Sequence, residues 1–527
     1  MERMKGNVNM VSFIKSCTIV GVDTEIIRVE CDLSRGMPLL NMVGLPDAAV
    51  RESRDRLRAA ILNSGLSFPV NKRITINLSP AGTRKEGTHL DLPIALSLLA
   101  GAGEIPQEEL EEYAVIGELS LDGRVEGVQQ ALPMCIGLKQ KGVKKIILPK
   151  ENFKNVSVVE EVDLFPVETL REAYGFIAGE DTVTPVRGQR PASAFESPDS
   201  EVDFSEVLGR EEAKRAIEIS VSGFHHLLFT GPPGCGKSMM AKRIPTVMPG
   251  MTYEEMLEVT KLYSLSGMEP EEGGLISRRP FRAPAGNVSS AAMVGGGAGI
   301  PKPGEITLAH LGTLFLDEMP EMRRDVLEAL RQPLEDEKIT ISRSHSKITY
   351  PSKFMLVGAR NPCPCGYFGD ETHRCTCSMQ QIRRYQERLS GPIMDRFDIF
   401  VDLSAIDYDS PEWTASVTAP CRSSAAMREK IEGAREVQEE RYIKEEIRYN
   451  SQLQGRLMKK YCRLNGAAKE VYDLGCRRLK VSLRGRDKLL KVARTIADLE
   501  GKEEIGAEHV AEALQYRRRD EERDEYQ

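Results

Sequence analysis

Residues 225–238 read HHLLFTGPPGCGKS: a short apolar run without a charge, a turn rich in glycine and proline, then a lysine and a serine. An unbroken apolar run of this length is the pattern of a strand buried on both faces, as in a parallel sheet. Gly231, Pro232, Pro233, Gly234, Cys235, Gly236, Lys237 and Ser238 fit the phosphate-loop spacing G-x-x-x-x-G-K-[ST], and SMMAKRIP after it reads as a helix. In such a loop the glycines let successive backbone N–H groups close on phosphate at a helix N-terminus. The lysine balances β/γ-phosphate charge, and the serine hydroxyl is a magnesium ligand. The expected ligands are ATP and Mg2+.

Two further strings extend the same sheet. GTLFLDE (312–318) is an apolar strand ending in Asp317, placed for the magnesium shell, and Glu318, placed to polarise an attacking water. KFMLVGAR (353–360) is another buried strand, followed by Asn361, whose amide either orients that water or simply serves a turn.

Before this region, RITINLSP (73–80) and KKIILP (144–149) read as strands and DAAVRESRDRLRAAILNSG (47–65) as a helix. They predict a separate α/β domain over residues 1–177. GEDTVTPVRGQRPASAFESPDS (179–200) has linker chemistry, rich in Pro, Ser and charge with no apolar period. The boundaries expected are a linker at 178–202, a nucleotide-binding α/β core at 203–405 and a helical domain at 406–527. The last rests on helical patterns such as RDKLLKVARTIADLE and the absence of good strand candidates after Ser423.

The chain has 527 residues, 41% hydrophobic and 29% charged, enough for about three domains that each bury a core. Its longest uncharged apolar stretch, Leu92 to Gly103, is interrupted by Pro93 and Ser97 and is too short to cross a bilayer. The opening MERMKGNVNM lacks the apolar run of a secretory signal, so a cytoplasmic location with reduced thiols is expected. A net charge of -7 excludes a uniformly basic nucleic-acid binder, though not a basic groove or pore. Of 11 cysteines, Cys363, Cys365, Cys375 and Cys377 cluster as two C-x-C pairs with His373 near the second. They are either reduced thiols or the four ligands of a structural zinc.

Taken in order, GLPDAAVRESRDRLRAAI, GELSLDGRV, GPPGCGKS, RPFRAP, KPGEITLAHLGTLFLDEMPE, NPCPCG, GPIMDRFDI and KVARTIADLE make the chain resemble the YifB/ComM family of magnesium-chelatase-like AAA+ ATPases. The resemblance implies an N-terminal Lon-protease-like (ribosomal protein S5 domain 2-like) α/β domain, an AAA+ P-loop α/β core and a C-terminal helical lid. It implies a homo-hexameric ring with nucleotide between subunits. Arg396 in GPIMDRFD matches the arginine finger that reaches the neighbouring site, and Arg484 in SLRGRDKLLKVA matches the lid's sensor arginine. Each guanidinium would spread charge over the γ-phosphate; without the resemblance both read as surface cations. DFSEVLGR (203–210) matches the adenine-side segment, with Val207 and Leu208 as contacts. Two departures stand out: Ala285 and Gly286 replace a histidine pair after RPFRAP, and Arg360 precedes Asn361 where the family favours a small or apolar residue. In KEGTHLDLP, His89 occupies the position of the Lon nucleophilic serine, and the matching lysine region reads VQQALPMC, so no serine–lysine dyad is available for peptidase chemistry.

Two basic islands stand in this acidic chain. Arg278 to Gly304 carries Arg278, Arg279, Arg282 and Lys302 without an acid, and Lys338 to Lys353 carries Lys338, Arg343, Lys347 and Lys353 without an acid. By themselves they fit solvated hairpins. They match the places where this AAA+ branch carries loops that line a pore, which implies contact with a DNA backbone. The expected function is a ring ATPase that moves along or remodels single-stranded or branched DNA, in the manner of a branch-migration helicase. The alternatives are a metal-chelatase motor subunit and a protein-remodelling ATPase.

Overall fold

The computed structural model describes residues 11–190, 202–270, 274–297, 301–343, 346–370, 373–405 and 421–517. Much of the expected linker, the boundary at 405/406 and most of the C-terminal tail lie outside them. The chain forms two compact units: residues 1–196 with 253–276, and residues 197–252 with 277–527.

The first unit is built on an eight-stranded mixed sheet. Its strands are β1 (Ser12–Val20), β2 (Asp23–Arg35), β3 (Leu39–Val43), β4 (Lys72–Ser79), β5 (Tyr113–Val115), β8 (Lys145–Pro149), β9 (Asp163–Val167) and β10 (Val186–Arg187), with β6 (Glu118–Leu119) and β7 (Val125–Glu126) as a separate ribbon. The order is β10-β9-β8-β5-β1-β2-β4-β3. The helix Asp91–Gly101, DLPIALSLLAG, is apolar on every side, and it is buried along almost its whole length. Residues 186–187, inside the stretch with linker composition, pair antiparallel with β9 and extend the sheet. The helix Tyr253–Ser266, whose sequence falls within 203–405, also belongs to this unit. Leu257 and Leu265 join the cluster around Leu138 and Ile146, and the Tyr253 hydroxyl donates to the Val158 carbonyl at 2.6 Å.

In the second unit β11 (Leu227–Thr230), β12 (Phe281–Arg282), β15 (Thr313–Leu316), β18 (Met355–Arg360) and β19 (Ile399–Asp402) form a parallel sheet in the order β12-β15-β18-β11-β19. Strand β11 lies inside the sheet, with β18 on one side and the edge strand β19 on the other, so the loop after β11 opens at the carboxyl ends of the strands where the strand order reverses. In parallel α/β sheets this is the place where ligands bind. Two ribbons, β13 (Gly295–Gly296) with β14 (Lys302–Pro303) and β16 (Lys338–Arg343) with β17 (Ser346–Pro351), are hydrogen-bonded outside that sheet.

The described residues after 421 contain helices and no strand, including Ser424–Tyr442, Gly466–Arg478, Leu483–Leu499 and Ala507–Gln515. Leu489, Val492, Ala493 and Ile496 line one face of Leu483–Leu499 at helical spacing, and they share a continuous core with Phe229, Val357 and Ile399 of the sheet. The helical segment is therefore seated on the nucleotide-binding sheet through a common apolar core.

Candidate nucleotide-hydrolysis site

Three strand ends build the site. After β11, Gly234 and Gly236 take φ of 79° and 95°, and Gly236 is the N-cap of the helix Lys237–Val247. Residues other than glycine rarely adopt that conformation, so glycine at these two positions suits the turn of a phosphate-binding loop. A side chain at Gly231 would meet the Leu403 carbonyl oxygen at 2.5 Å, so this residue is restricted by close packing.

Lys237 is buried, and its ammonium donates to the carbonyls of Gly231 at 2.7 Å and Pro232 at 2.8 Å and to Oδ1 of Asn361 at 3.0 Å. Three acceptors use its three protons. The contact also joins the loop after β11 to the residue after β18, so the P-loop lysine and Asn361 meet in space. The Ser238 hydroxyl donates to Oδ2 of Asp317 at 2.5 Å, bringing in the end of β15. Asp317 is half-buried and Glu318 exposed. Glu318 has φ 47° and ψ 42°, the left-handed region uncommon for a non-glycine residue. The backbone thus turns sharply where the strand ends. Val207 is buried in the core below the loop and Leu208 is half-buried beside it in sequence.

Arg396 and Arg484 lie apart from this centre. The Arg396 guanidinium pairs with the Glu335 carboxylate, while Arg484 is exposed in the first turn of the helix Leu483–Leu499. Between them lies a cluster that the sequence reading missed. Lys488 donates to the Arg396 carbonyl at 2.7 Å and the Phe397 carbonyl at 3.2 Å and pairs with Asp398 Oδ1 at 2.8 Å. Asp398 Oδ2 accepts the backbone N–H of His226 at 3.0 Å, and His225 Nδ1 is 3.8 Å from it. Burial alone would raise the Asp398 carboxyl, but Lys488, His225 and His226 outweigh it and hold the group well below the ordinary carboxylate range. Burial lowers His226 to about 4, against the opposing pull of Asp398. Its Nδ1 accepts the Leu356 N–H at 3.1 Å, a role that requires that nitrogen unprotonated. A signal for Lys488 existed: it falls on the apolar face defined by Gly485, Leu489 and Val492.

The four cysteines directly follow Asn361. Cys363 is buried, the others half-buried, and their sulfurs all lie within 4.8 Å of one another. Cys363, Cys365 and Cys375 are 3.3, 3.5 and 3.7 Å apart pairwise. Thiolates bound to one zinc at about 2.3 Å sit about 3.8 Å apart, so the donor set and spacing fit a tetrahedral ion. His373 is not one of the group; it stacks on Tyr367 with ring centres 4.8 Å apart. A side chain at Gly366 would strike Pro233 at 2.5 Å, so the cysteine loop rests on the phosphate loop.

The structure brings the basic islands together through their ribbons: the Tyr350 hydroxyl donates to the Pro301 carbonyl, and Gly295 faces Ile341. Lys302, Lys338 and Lys347 are exposed on these ribbons, and Arg343 ends β16. Arg278 is exposed at a bend in the segment leading to β12. Arg279 and Arg282 are each engaged within the unit. Arg279 donates to the carbonyls of Pro249, Gly250 and Leu311 at 2.7 to 3.0 Å, and Arg282 makes a two-pronged pair with Glu305 at 2.7 and 2.8 Å.

An interior parallel strand, a glycine-rich loop, a lysine and serine opening a helix, and an Asp-Glu pair at the end of the next strand but one define a P-loop ATPase of the AAA+ class. The family described as magnesium chelatase subunit ChlI matches residues 203–410, with its companion regions matching 29–152 and, as the subunit's C-terminal part, 421–517. The protein YifB of Escherichia coli is 40% identical over 506 residues, covering 96% of this chain and 97% of the relative. Competence protein ComM of Haemophilus influenzae is 39% identical over 507 residues, 96% and 97% of the two chains. A probable DNA helicase, MCM9 of Arabidopsis thaliana, is 26% identical over 213 residues, 40% of this chain and 27% of the relative. The chain belongs to the YifB/ComM family of magnesium-chelatase-like AAA+ ATPases. No helix among the described residues is long and apolar enough to cross a membrane.

Proposed function

We propose that this chain is the subunit of a ring-forming, DNA-dependent ATPase that moves along or remodels DNA, acting in the cytoplasm. The observation that carries the reading is the convergence of Lys237, Ser238, Asp317, Glu318 and Asn361 on three adjacent strand ends. Lys237 would exchange its carbonyl partners for β/γ-phosphate oxygens, while the N–H groups from Gly234 to Ser238 receive the remaining phosphate charge. Ser238 and Asp317 are the residues to hold Mg2+, which when bound neutralises charge on the phosphates. Glu318 is exposed at a backbone turn and is the group to take the proton of the attacking water, with Asn361 fixing that water's orientation. Val207 and Leu208 would pack against adenine. Arg484 would report on the chain's own nucleotide and Arg396 would act on the next subunit's.

The DNA reading rests on Lys302, Lys338, Arg343 and Lys347, carried by two packed ribbons, with Arg278 nearby in sequence. Copies of such ribbons stacked in a ring would follow a phosphate backbone without reading bases. Similarity to ComM and, over a shorter stretch, to a probable DNA helicase supports this substrate. The N-terminal unit is read as Lon-like without a peptidase site: His89 is buried with Nε2 2.8 Å from the Cys17 carbonyl, held by the fold rather than presented to a substrate. The deciding experiment measures ATP turnover with single-stranded, duplex and branched DNA. Stimulation by DNA is expected. Stimulation only by a porphyrin-binding partner would make the chain a chelatase motor, and stimulation by neither would favour protein remodelling.

A further inference from the structure

We propose that Lys488 is a positioning residue for the Arg396 finger, fixing the backbone from which that arginine projects to the helix that carries Arg484. The inference rests on the finger reading of Arg396. Lys488 grips three consecutive residues, with its ammonium on the carbonyls of Arg396 and Phe397 and on the carboxylate of Asp398. That uses every proton the group has. Asp398 is then tied to the start of β11: its N–H and that of Ile399 donate to the His226 carbonyl at 2.9 and 3.1 Å, and its Oδ2 accepts the His226 N–H at 3.0 Å.

The side chain of Arg396 is held differently. Its one ion pair is with half-exposed Glu335, and its Nε is buried without a hydrogen-bond partner among the described residues. The base of the arginine is therefore fixed by several hydrogen bonds while its guanidinium has a single ion pair, so few contacts must be exchanged for it to reach a neighbouring site. Lys488 lies one helical turn beyond Arg484, so the residue matched to the chain's own nucleotide and the mount of the residue matched to the neighbour's share one rigid element.

Mixed rings of full-length protein separate this from a merely structural role. Lys488→Met is tested alone and with Asp398→Asn, the pair avoiding an uncompensated buried carboxylate. Both should assemble and bind nucleotide within about threefold of the parent, with turnover lower by about tenfold or more, since small misplacements of a reacting group carry large rate losses. Mixing either variant with Lys237→Ala subunits should restore part of the turnover, because the Lys237→Ala subunit lends a correctly mounted finger to the variant's intact phosphate loop. Arg396→Ala, mixed in the same way, is the reference. Rescue of Arg396→Ala without rescue of the Lys488 variants overturns the proposal, as does unchanged turnover or failure of the double variant to assemble. No rescue of Arg396→Ala removes the finger reading itself and the proposal with it.

Discussion

Asp91 in the first unit and Asp398 in the second are both buried carboxyls facing a cation, yet they titrate in opposite directions. Burial pushes Asp91 up to about 6 despite Arg56, whose Nε and Nη2 both reach the same oxygen, Oδ2, at 3.1 and 3.0 Å, from a partly exposed position. Asp398 has a donor for each oxygen, Lys488 on Oδ1 and the His226 N–H on Oδ2, with two histidines beside it. Buried charge persists where the donors enclose it and is disfavoured where they approach from one side. The two units differ in the same sense on a larger scale. Buried polar groups of the N-terminal unit, such as His89, are closed within the fold. In the second unit buried Lys237 and its neighbour Ser238 instead lead outward, through Asn361 and half-buried Asp317, to exposed Glu318.

The contrast is tested most strongly at the phosphate loop and at His89. Lys237→Ala should weaken nucleotide binding by about 100-fold or more, the scale of roughly 3 kcal/mol expected for a charged hydrogen-bonding group. His89→Ala should leave turnover within about twofold, measured on correctly folded protein. Comparable losses at both positions would erase the functional distinction between the units.

The cysteine site comes next. Protein prepared without chelator should carry about one zinc per chain, and Cys363→Ser with Cys375→Ser should remove it. Because Gly366 rests on Pro233, loss of the metal should also reduce nucleotide affinity. Metal analysis that finds none contradicts the site. On the basic ribbons, Lys302→Ala, Lys338→Ala and Lys347→Ala together should lower DNA affinity by about tenfold or more and reduce the steepness of its salt dependence, with basal turnover retained. Unchanged DNA affinity at low and moderate salt would return these lysines to a solvated surface.

The smallest expected effect concerns pH. An unfolded histidine binds its proton near 6.5 and His226 in the fold near 4. Its contribution to stability is therefore present above about 6.5 and lost as pH falls towards 4, by up to roughly 1.4 kcal/mol per pH unit. Asp91 acts in the reverse sense: raised to about 6, it takes up its proton in the folded state first and favours folding as pH drops below that value. Limited proteolysis at pH 7 and pH 5 should show the second unit gaining more susceptibility than the first, and an equal gain would contradict the assignment.

Much of the second unit was legible in the sequence because continuous apolar strings ending in Lys237–Ser238, Asp317–Glu318 and Asn361 encode both a buried parallel strand and the chemistry at its end. What escaped was set by contacts distant in sequence. The basic island ending at Gly304 contains no acid, yet Glu305, the next residue, neutralises Arg282. Arg279 is engaged with backbone carbonyls, which a count of charges does not reveal. The helix Tyr253–Ser266 buries Met256, Val259 and Leu262 as any core helix does, and nothing in that spacing says which unit receives it. Lys488 sat on an apolar helix face, but its partners at 396–398 are nearly a hundred residues away in sequence and became visible only in the fold.

The central claim is ATP hydrolysis at the three strand ends, and the most direct measurement compares ATP binding and turnover of Glu318→Gln with the parent protein. The change keeps the side chain's shape and removes its basicity, so ATP affinity should stay within about threefold while turnover falls by about 100-fold or more. Near-parental turnover with ATP bound would contradict the account.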